Sequence, residues 1–237
     1  ALELAAARVG SLPVEAIARR LGDRFRLLKS GDQTTLPRQQ TLRALIDWSH
    51  DLLSEPERTL LRRLAVFAGG WTLEAAEGVC AGGGIDEAEV LDLLTHLVDK
   101  SLVAMDADGS RYRLLETVRE YALARLDESG EGMEARTRHL EHYVAFGEKA
   151  KHAFYGPAQA DMLARLDLER ENILAAHAWA AHEPPGGELG LRLAYSVGPY
   201  WYARGQPDLG RRLNEEALAR PGAYARSAAR ARTLFEA

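Results

Sequence analysis

The chain has 237 residues, 46% of them hydrophobic and 27% charged, with 30 Lys and Arg against 35 Asp and Glu for a net charge of −5. That balance is typical of a folded globular protein, and it excludes disorder as the default state. It also argues against nucleic acid as the main partner, because a chain dedicated to gripping phosphates is usually basic. The single cysteine, Cys80, excludes an internal disulfide and a cysteine-rich zinc site. No apolar run approaches the roughly 20 residues of a membrane span, no secretory leader is apparent, and a cytoplasmic setting is expected. The pattern is already helical at Ala1-Leu2-Glu3-Leu4-Ala5, without Met, and still helical at Leu234-Phe235-Glu236-Ala237. The chain is therefore expected to be a piece of a larger protein.

Residues 2–9 and 14–21 read as two short helices broken at Gly10-Ser11-Leu12-Pro13. A polar loop follows Asp23-Arg24-Phe25-Arg26-Leu27-Leu28. From Thr41, the spacing of Leu42, Leu45, Ile46, Leu52 and Leu53 predicts a helix, with Trp48 nearby. Ser54-Glu55-Pro56-Glu57 predicts the start of the next through a capping box and an early proline. Its apolar face is Leu60, Leu61, Leu64 and Phe67, and Gly69-Gly70 are expected to end it. Thr72 should cap a short helix to Cys80, and Gly82-Gly83-Gly84 should break the chain again. Asp86, with Glu89 three residues on, predicts the cap of a third helix running to about Lys100.

Asp106-Ala107-Asp108-Gly109 is a turn signal between two short apolar runs, the mark of a β-hairpin. The stretch Arg111–Ala122 begins as a strand and ends as a helix, with Leu115, Val118, Tyr121 and Ala122 on one helical face. Three helices followed by a two-stranded wing is the winged-helix order. Beyond Gly130 the pattern is helical throughout, in segments near 133–154, 157–181, 187–204, 208–219 and 223–236. Short loops between amphipathic helices predict helical hairpins. Leu189–Leu218 resembles a tetratricopeptide unit, with Gly198, Tyr200 and Trp201 late in its first helix, Gly205 in the turn, and Leu213, Ala217 and Leu218 in its second. The predicted fold is thus mainly α: the end of another subdomain and a linker at 1–36, a winged helix at 37–128, and a tetratricopeptide-like array at 129–237.

A search for chemistry in the residues finds no enzyme site. No phosphate-loop or dinucleotide fingerprint is present. Gly82-Gly83-Gly84 precedes a helix that starts Asp86-Glu87-Ala88-Glu89, whose carboxylates already occupy the favourable field an anion would need. Ser49-His50-Asp51 are helical neighbours about 100° apart and cannot form a relay. His139 and His142 sit at i and i+3, but with no further ligand cluster nearby they are expected on a solvated face. For DNA binding, the third helix would have to enter the major groove. It carries Asp86, Glu87, Glu89, Asp92 and Asp99 against Lys100 and a neutral His96, the opposite of what the phosphate field rewards. Arg111 and Arg113 on the wing do not outweigh those carboxylates.

Several segments resemble the multidomain regulators of the signal-transduction ATPase (STAND, NB-ARC-like) class. They are residues 1–28 with Leu36-Pro37-Arg38-Gln39-Gln40-Thr41-Leu42-Arg43-Ala44-Leu45-Ile46-Asp47-Trp48-Ser49, then Leu53-Ser54-Glu55-Pro56-Glu57-Arg58, residues 61–71, and Leu97-Val98-Asp99-Lys100-Ser101-Leu102-Val103. The nearest likeness is to bacterial transcriptional regulators of the LuxR and antibiotic-regulatory (SARP) types, in which this stretch lies between an ATPase module and tetratricopeptide repeats.

The resemblance implies that residues 2–9 close an ATPase subdomain and that ADP or ATP with magnesium is held by the parent protein rather than by this segment. It implies that the winged helix folds over that nucleotide and that a Met-His-Asp motif at the wing's exit touches its phosphate. That motif maps onto Leu114-Leu115-Glu116. The acid is kept as Glu116, but Leu115 replaces the histidine and cannot donate a hydrogen bond. Arg113 and Arg119 are the substitute charge donors, with the alternative that they are solvated or serve Glu116 and Glu120. Arg113, Leu115, Glu116 and Arg119 are thus the nucleotide-proximal switch candidates. Expected partners are the protein's own ATPase core and effector domains and an inducer or protein on the helical repeats. No membrane partner and no DNA contact by this segment are expected, and a nucleotide-dependent oligomer is a further implication.

Overall fold

A computed structural model describes residues 37–154, 156–182 and 186–236; the helices expected at 2–9 and 14–21 lie outside them. The chain divides into two units, one of residues 1–65 and 72–130, the other of residues 66–71 and 131–237.

In the first unit, α1 (Pro37–Asp51) is followed directly by α2 (Glu55–Leu64). The predicted capping box forms. The Ser54 hydroxyl accepts the Glu57 N–H at 3.5 Å, and the Glu57 carboxylate accepts the Ser54 N–H at 2.7 Å. One turn on, Arg58 donates to the carbonyls of His50 and Asp51 at 3.2 and 2.9 Å. It thereby adds a side-chain donor to the last carbonyls of α1, of which that of His50 also accepts the Leu53 N–H at 3.0 Å. Helix α2 buries Leu60, Leu61 and Leu64, and packs on α4 and α5 described below. It ends at Leu64 rather than near Gly69. Phe67, expected on its apolar face, lies beyond it in a segment belonging to the second unit.

Thr72 caps α3 (Leu73–Cys80), accepting the Ala75 N–H at 3.2 Å. The Gly82–Gly84 turn follows. The third helix opens with a single 3₁₀ turn, Glu87–Glu89, and continues as α4 (Val90–Asp99), so its regular part is shorter than the predicted span. Val90, Leu94 and Leu97 are its buried face. Strands β1 (Ala104–Met105) and β2 (Tyr112–Arg113) pair antiparallel, Ala104 opposite Arg113 and Met105 opposite Tyr112. The chain leaves the wing into α5 (Glu116–Ser129), which buries Val118, Tyr121, Ala122 and Leu126 and ends at Gly130 in the left-handed region, φ +79°. The unit is a winged helix with a small hairpin, as the pattern predicts.

The second unit consists of α6 (Gly132–Ala153), α7 (Gln159–Trp179), α8 (Gly186–Ala203), α9 (Pro207–Ala219) and α10 (Ala228–Glu236), joined to the segment Val66–Trp71. Helix α8 packs along α6 on one side and α10 on the other, with α7 and α9 folded back on them. Gly147 permits the approach of α6 to α8: a methyl there would lie 3.3 Å from Val197 and closer still to the Ser196 hydroxyl. The core runs through Tyr143, Val144, Leu166, Ile173, Leu191, Val197, Trp201 and Ala217. His139 corrects an expectation. Rather than lying on a solvated face it is buried, its ring 5.2 Å from Phe67 and 4.7 Å from Tyr143, while His142 packs edge-on to Tyr143 at 5.1 Å. The reason is the Val66–Trp71 segment, which covers that side of α6.

His177 on α7 is also buried, with Nε2 3.2 Å from the Glu216 carboxylate. Burial, helped by the nearby Arg220 guanidinium, lowers its pKa to about 3. A His that ionises at about 6.5 when unfolded but stays neutral when folded stabilises the fold above that pH. That stability is lost as pH falls below 6.5, at about 1.4 kcal/mol per pH unit. Denaturant unfolding at pH 7.5 and 5.5 should therefore show a fall of which about 1.4 kcal/mol is removed by His177→Gln, burial of His50 adding a contribution of the same sign. An equal fall in the variant would refute the assignment.

Candidate functional site

The hairpin is closed by its own polar turn. Asp106 N–H donates to the Arg111 carbonyl at 2.9 Å, Gly109 takes φ +73°, and the Asp108 carboxylate accepts the Ser110 N–H and hydroxyl at 3.0 and 2.8 Å. Those two bonds hold the exposed Asp108 carboxyl below its usual pKa. Register then settles the faces: Tyr112 turns inward and is buried, and Arg113 turns outward, its nearest acid Asp106 at 3.9 Å. Surface pairs at such a distance contribute little.

Leu115 is extended (φ −65°, ψ 142°), and its carbonyl accepts the first N–H groups of α5, from Val118 and Arg119, both at 2.9 Å. It is the cap residue rather than a member of the helical face on which the spacing predicts it, and it stands 47% exposed. The periodicity could not show this, because a residue one position before a helix shares the spacing of the first turn without sharing its axis. Glu116, exposed, pairs with Arg119 at 3.4 Å. Of the four candidates the fold thus joins Glu116 to Arg119, gives Arg113 to the wing, and presents Leu115 as an apolar surface residue. The donor set at this exit consists of the two guanidiniums; Leu115 offers no hydrogen bond and Glu116 would repel a phosphate.

The exit is packed from beneath. Tyr121 meets His50 edge-on with ring centroids 5.5 Å apart, and Arg125 lies over the Tyr121 ring at 5.0 Å while reaching Asp47 at 3.4 Å and Glu128 at 2.6 Å. Burial, with a hydrogen bond to Asp47, raises the Tyr121 hydroxyl to about 12. Ser49 is fully buried and Asp51 is exposed, so Ser49-His50-Asp51 form no relay.

The other surface is α4. Its solvent side presents Leu91, Asp92, Thr95, His96 and Asp99. Lys100, the cation that the sequence sets against those acids, makes a close ion pair with Glu57 of α2, which His96 approaches at 3.5 Å. Burial opposes ionisation of Glu57, but hydrogen bonds from Lys100 and the Ser54 N–H outweigh it and hold the carboxyl below its usual value. Glu57 was legible as a capping residue. Its second partner lies 43 positions away, and no local pattern joins the two. Among the described residues, no group of three or more His, Cys, Asp or Glu is placed to hold a metal ion, and no helix is long and apolar enough to cross a membrane.

Residues 53–127 match the winged helix-turn-helix domain family, the class to which α2, α3, α4 and the hairpin conform. The chain is 48% identical over 209 residues to two proteins provisionally named HTH-type transcriptional regulators, one from Mycobacterium bovis and one from Mycobacterium tuberculosis H37Rv. The match covers 86% of this chain and 23% of each relative, so the chain spans less than a quarter of their length. An uncharacterized protein of Mycobacterium tuberculosis is 47% identical over 146 residues, 60% of this chain and 37% of that protein. No solved structure matches.

Proposed function

We propose that this chain is a non-catalytic regulatory module of a larger transcriptional regulator. Its winged helix docks on a nucleotide-binding core elsewhere in that protein and passes the ADP or ATP state to a helical-repeat sensor for an inducer or partner protein. The observation that carries this reading is the solvent face of α4, where a major-groove reader needs cations. Asp92 and Asp99 occupy it, and Lys100 is drawn inward to Glu57. The relatives' names and their much greater length support a regulator with further domains. The likeness of α8 and α9 to a tetratricopeptide hairpin, with Tyr200, Trp201, Leu213 and Ala217 all buried, supports the repeat reading. In the parent, magnesium and nucleotide would be bound by residues outside this segment, with Arg113 or Arg119 as the phosphate donor at the wing's exit.

A second reading, in which the winged helix itself binds DNA, draws on the family match and the HTH-type names. Titrating DNA binding by this chain against salt separates the two. The first reading expects no binding even at low salt. Measurable affinity that falls steeply as salt rises would overturn it in favour of the second. For the nucleotide contact, Arg113→Ala or Arg119→Ala in the full-length parent, whichever removes the donor, is expected to speed ADP release about tenfold, the loss of one charge-assisted bond. If release and activation are unchanged in both, and in Glu116→Ala, the switch role is wrong.

A further inference from the structure

Helices α6, α8 and α10 together line a groove of about 460 Å³, a volume within the range of small-molecule sites. Its chemistry begins with Pro199 inside α8. Proline has no N–H, so the carbonyl one turn earlier, that of Tyr195, loses its helical partner. Lys151 of α6 takes the vacancy: its Nζ donates to that carbonyl at 3.2 Å and lies 3.1 Å from the centroid of the Tyr195 ring. Arg232, from α10, approaches the same ring at 5.8 Å.

Glu148 holds Arg192 through two bonds of 2.8 and 2.9 Å, and those bonds keep the carboxyl well ionised. Lys151, Arg192 and Arg232 supply three positive charges against the one of Glu148, a net of +2 before His152 is counted. The chain as a whole carries −5. A groove of the opposite sign focuses anions from solution.

We propose that this groove binds a small organic anion. Its carboxylate or phosphate group is held between Lys151 Nζ and the Arg232 guanidinium, and its apolar part lies against Tyr195. The proposal rests on the reading of the helical unit as a sensor and names the chemical class of what it senses. Arg192, already held by Glu148, is not the primary contact.

Isothermal titration of the 237-residue chain at constant ionic strength tests it, with benzoate, citrate, inorganic phosphate and a short peptide ending in acidic residues as probes. At least one probe should bind saturably. Lys151→Ala and Arg232→Ala should each weaken it about tenfold or more, with circular dichroism unchanged. Arg211→Ala, whose side chain pairs with Glu215 on α9 away from the groove, should leave affinity as it was. Binding of the acidic peptide that both variants weaken would identify a polypeptide carboxylate as the source, whereas binding of the free acids alone would identify a metabolite-sized ligand. Absence of saturable binding by every probe up to about 10 mM, or binding that survives both substitutions, overturns the proposal. Either failure leaves the DNA and ADP tests standing, because neither involves the groove.

Discussion

Asn172→Ala is expected to destabilise the helical unit by about 3 kcal/mol, read as a lower urea midpoint. Asn172 is fully buried on α7. Its side-chain oxygen accepts the Ala68 N–H at 2.9 Å, and its amide nitrogen donates to the Gly70 carbonyl and to Glu169 Oε2, each at 2.9 Å. The same Glu169 oxygen accepts the Tyr143 hydroxyl at 2.6 Å. Truncation strands a backbone donor, a backbone acceptor and part of a buried carboxylate together. Each stranded group costs about 1–3 kcal/mol, with some relief from entering water. Phe67 and Trp71 stack at 5.3 Å on either side of the held backbone, with Phe67 against His139, so loosening the segment also loosens an aromatic core. Asn172→Asp should not rescue: it keeps the acceptor for Ala68 but turns like charge on Glu169 and a lone pair on the Gly70 carbonyl. Glu171→Ala, one position away and exposed, should stay within about 0.5 kcal/mol of the parent. A loss under about 1 kcal/mol for Asn172→Ala would mean that other contacts hold the segment.

Arg63→Ala should cost the winged helix a comparable amount, about 3 kcal/mol by the same measurement. Arg63 is buried on α2, and its Nη1 donates to the carbonyls of Cys80 and Gly82 at 2.8 and 2.6 Å. Those carbonyls bound the turn between α3 and the third helix, where Gly82, Gly83 and Gly84 take φ of +92°, +56° and +98°. Three consecutive residues in this region lose much backbone entropy on folding, and the guanidinium clamps them into the pairing of Gly82 with Ile85. Gly83→Ala should be destabilising by about 1–2 kcal/mol. It strains the backbone and brings a methyl to 2.7 Å from Arg63 Nη2. Arg63→Lys should recover only part of the loss, since the flexible ammonium does not fix two N–H directions in a plane as Nη1 does for the two carbonyls. If Arg63→Ala stays within about 1 kcal/mol of the parent, the turn holds itself.

The features legible in the amino-acid sequence were those decided within a turn or two of chain. The Ser54–Glu57 capping box, the Thr72 cap, the Asp106–Gly109 turn and the loops that separate α6 through α9 all stand where the pattern puts them. Each rests on contacts three or four residues apart, which spacing encodes directly. The acidity of the third helix was equally plain, because charge is a property of composition and needs no fold. At the wing's exit, the pattern misjudged Leu115, whose exposure depends on where the helix axis begins.

The sequence by itself therefore determined the order of elements, the winged-helix pattern with a helical array after it, and the sign of the surface on α4. Only the tertiary structure decided that Phe67 leaves α2 to pack on His139, that Lys100 turns to Glu57, and that Arg63 reaches across to the glycine turn. It alone gathered Lys151, Arg192 and Arg232 from three helices around one tyrosine. Lys151 and Tyr195 are 44 positions apart. A helix carries its own period in its residues. The neighbour that will cover each face is set by packing between helices whose positions no local signal records.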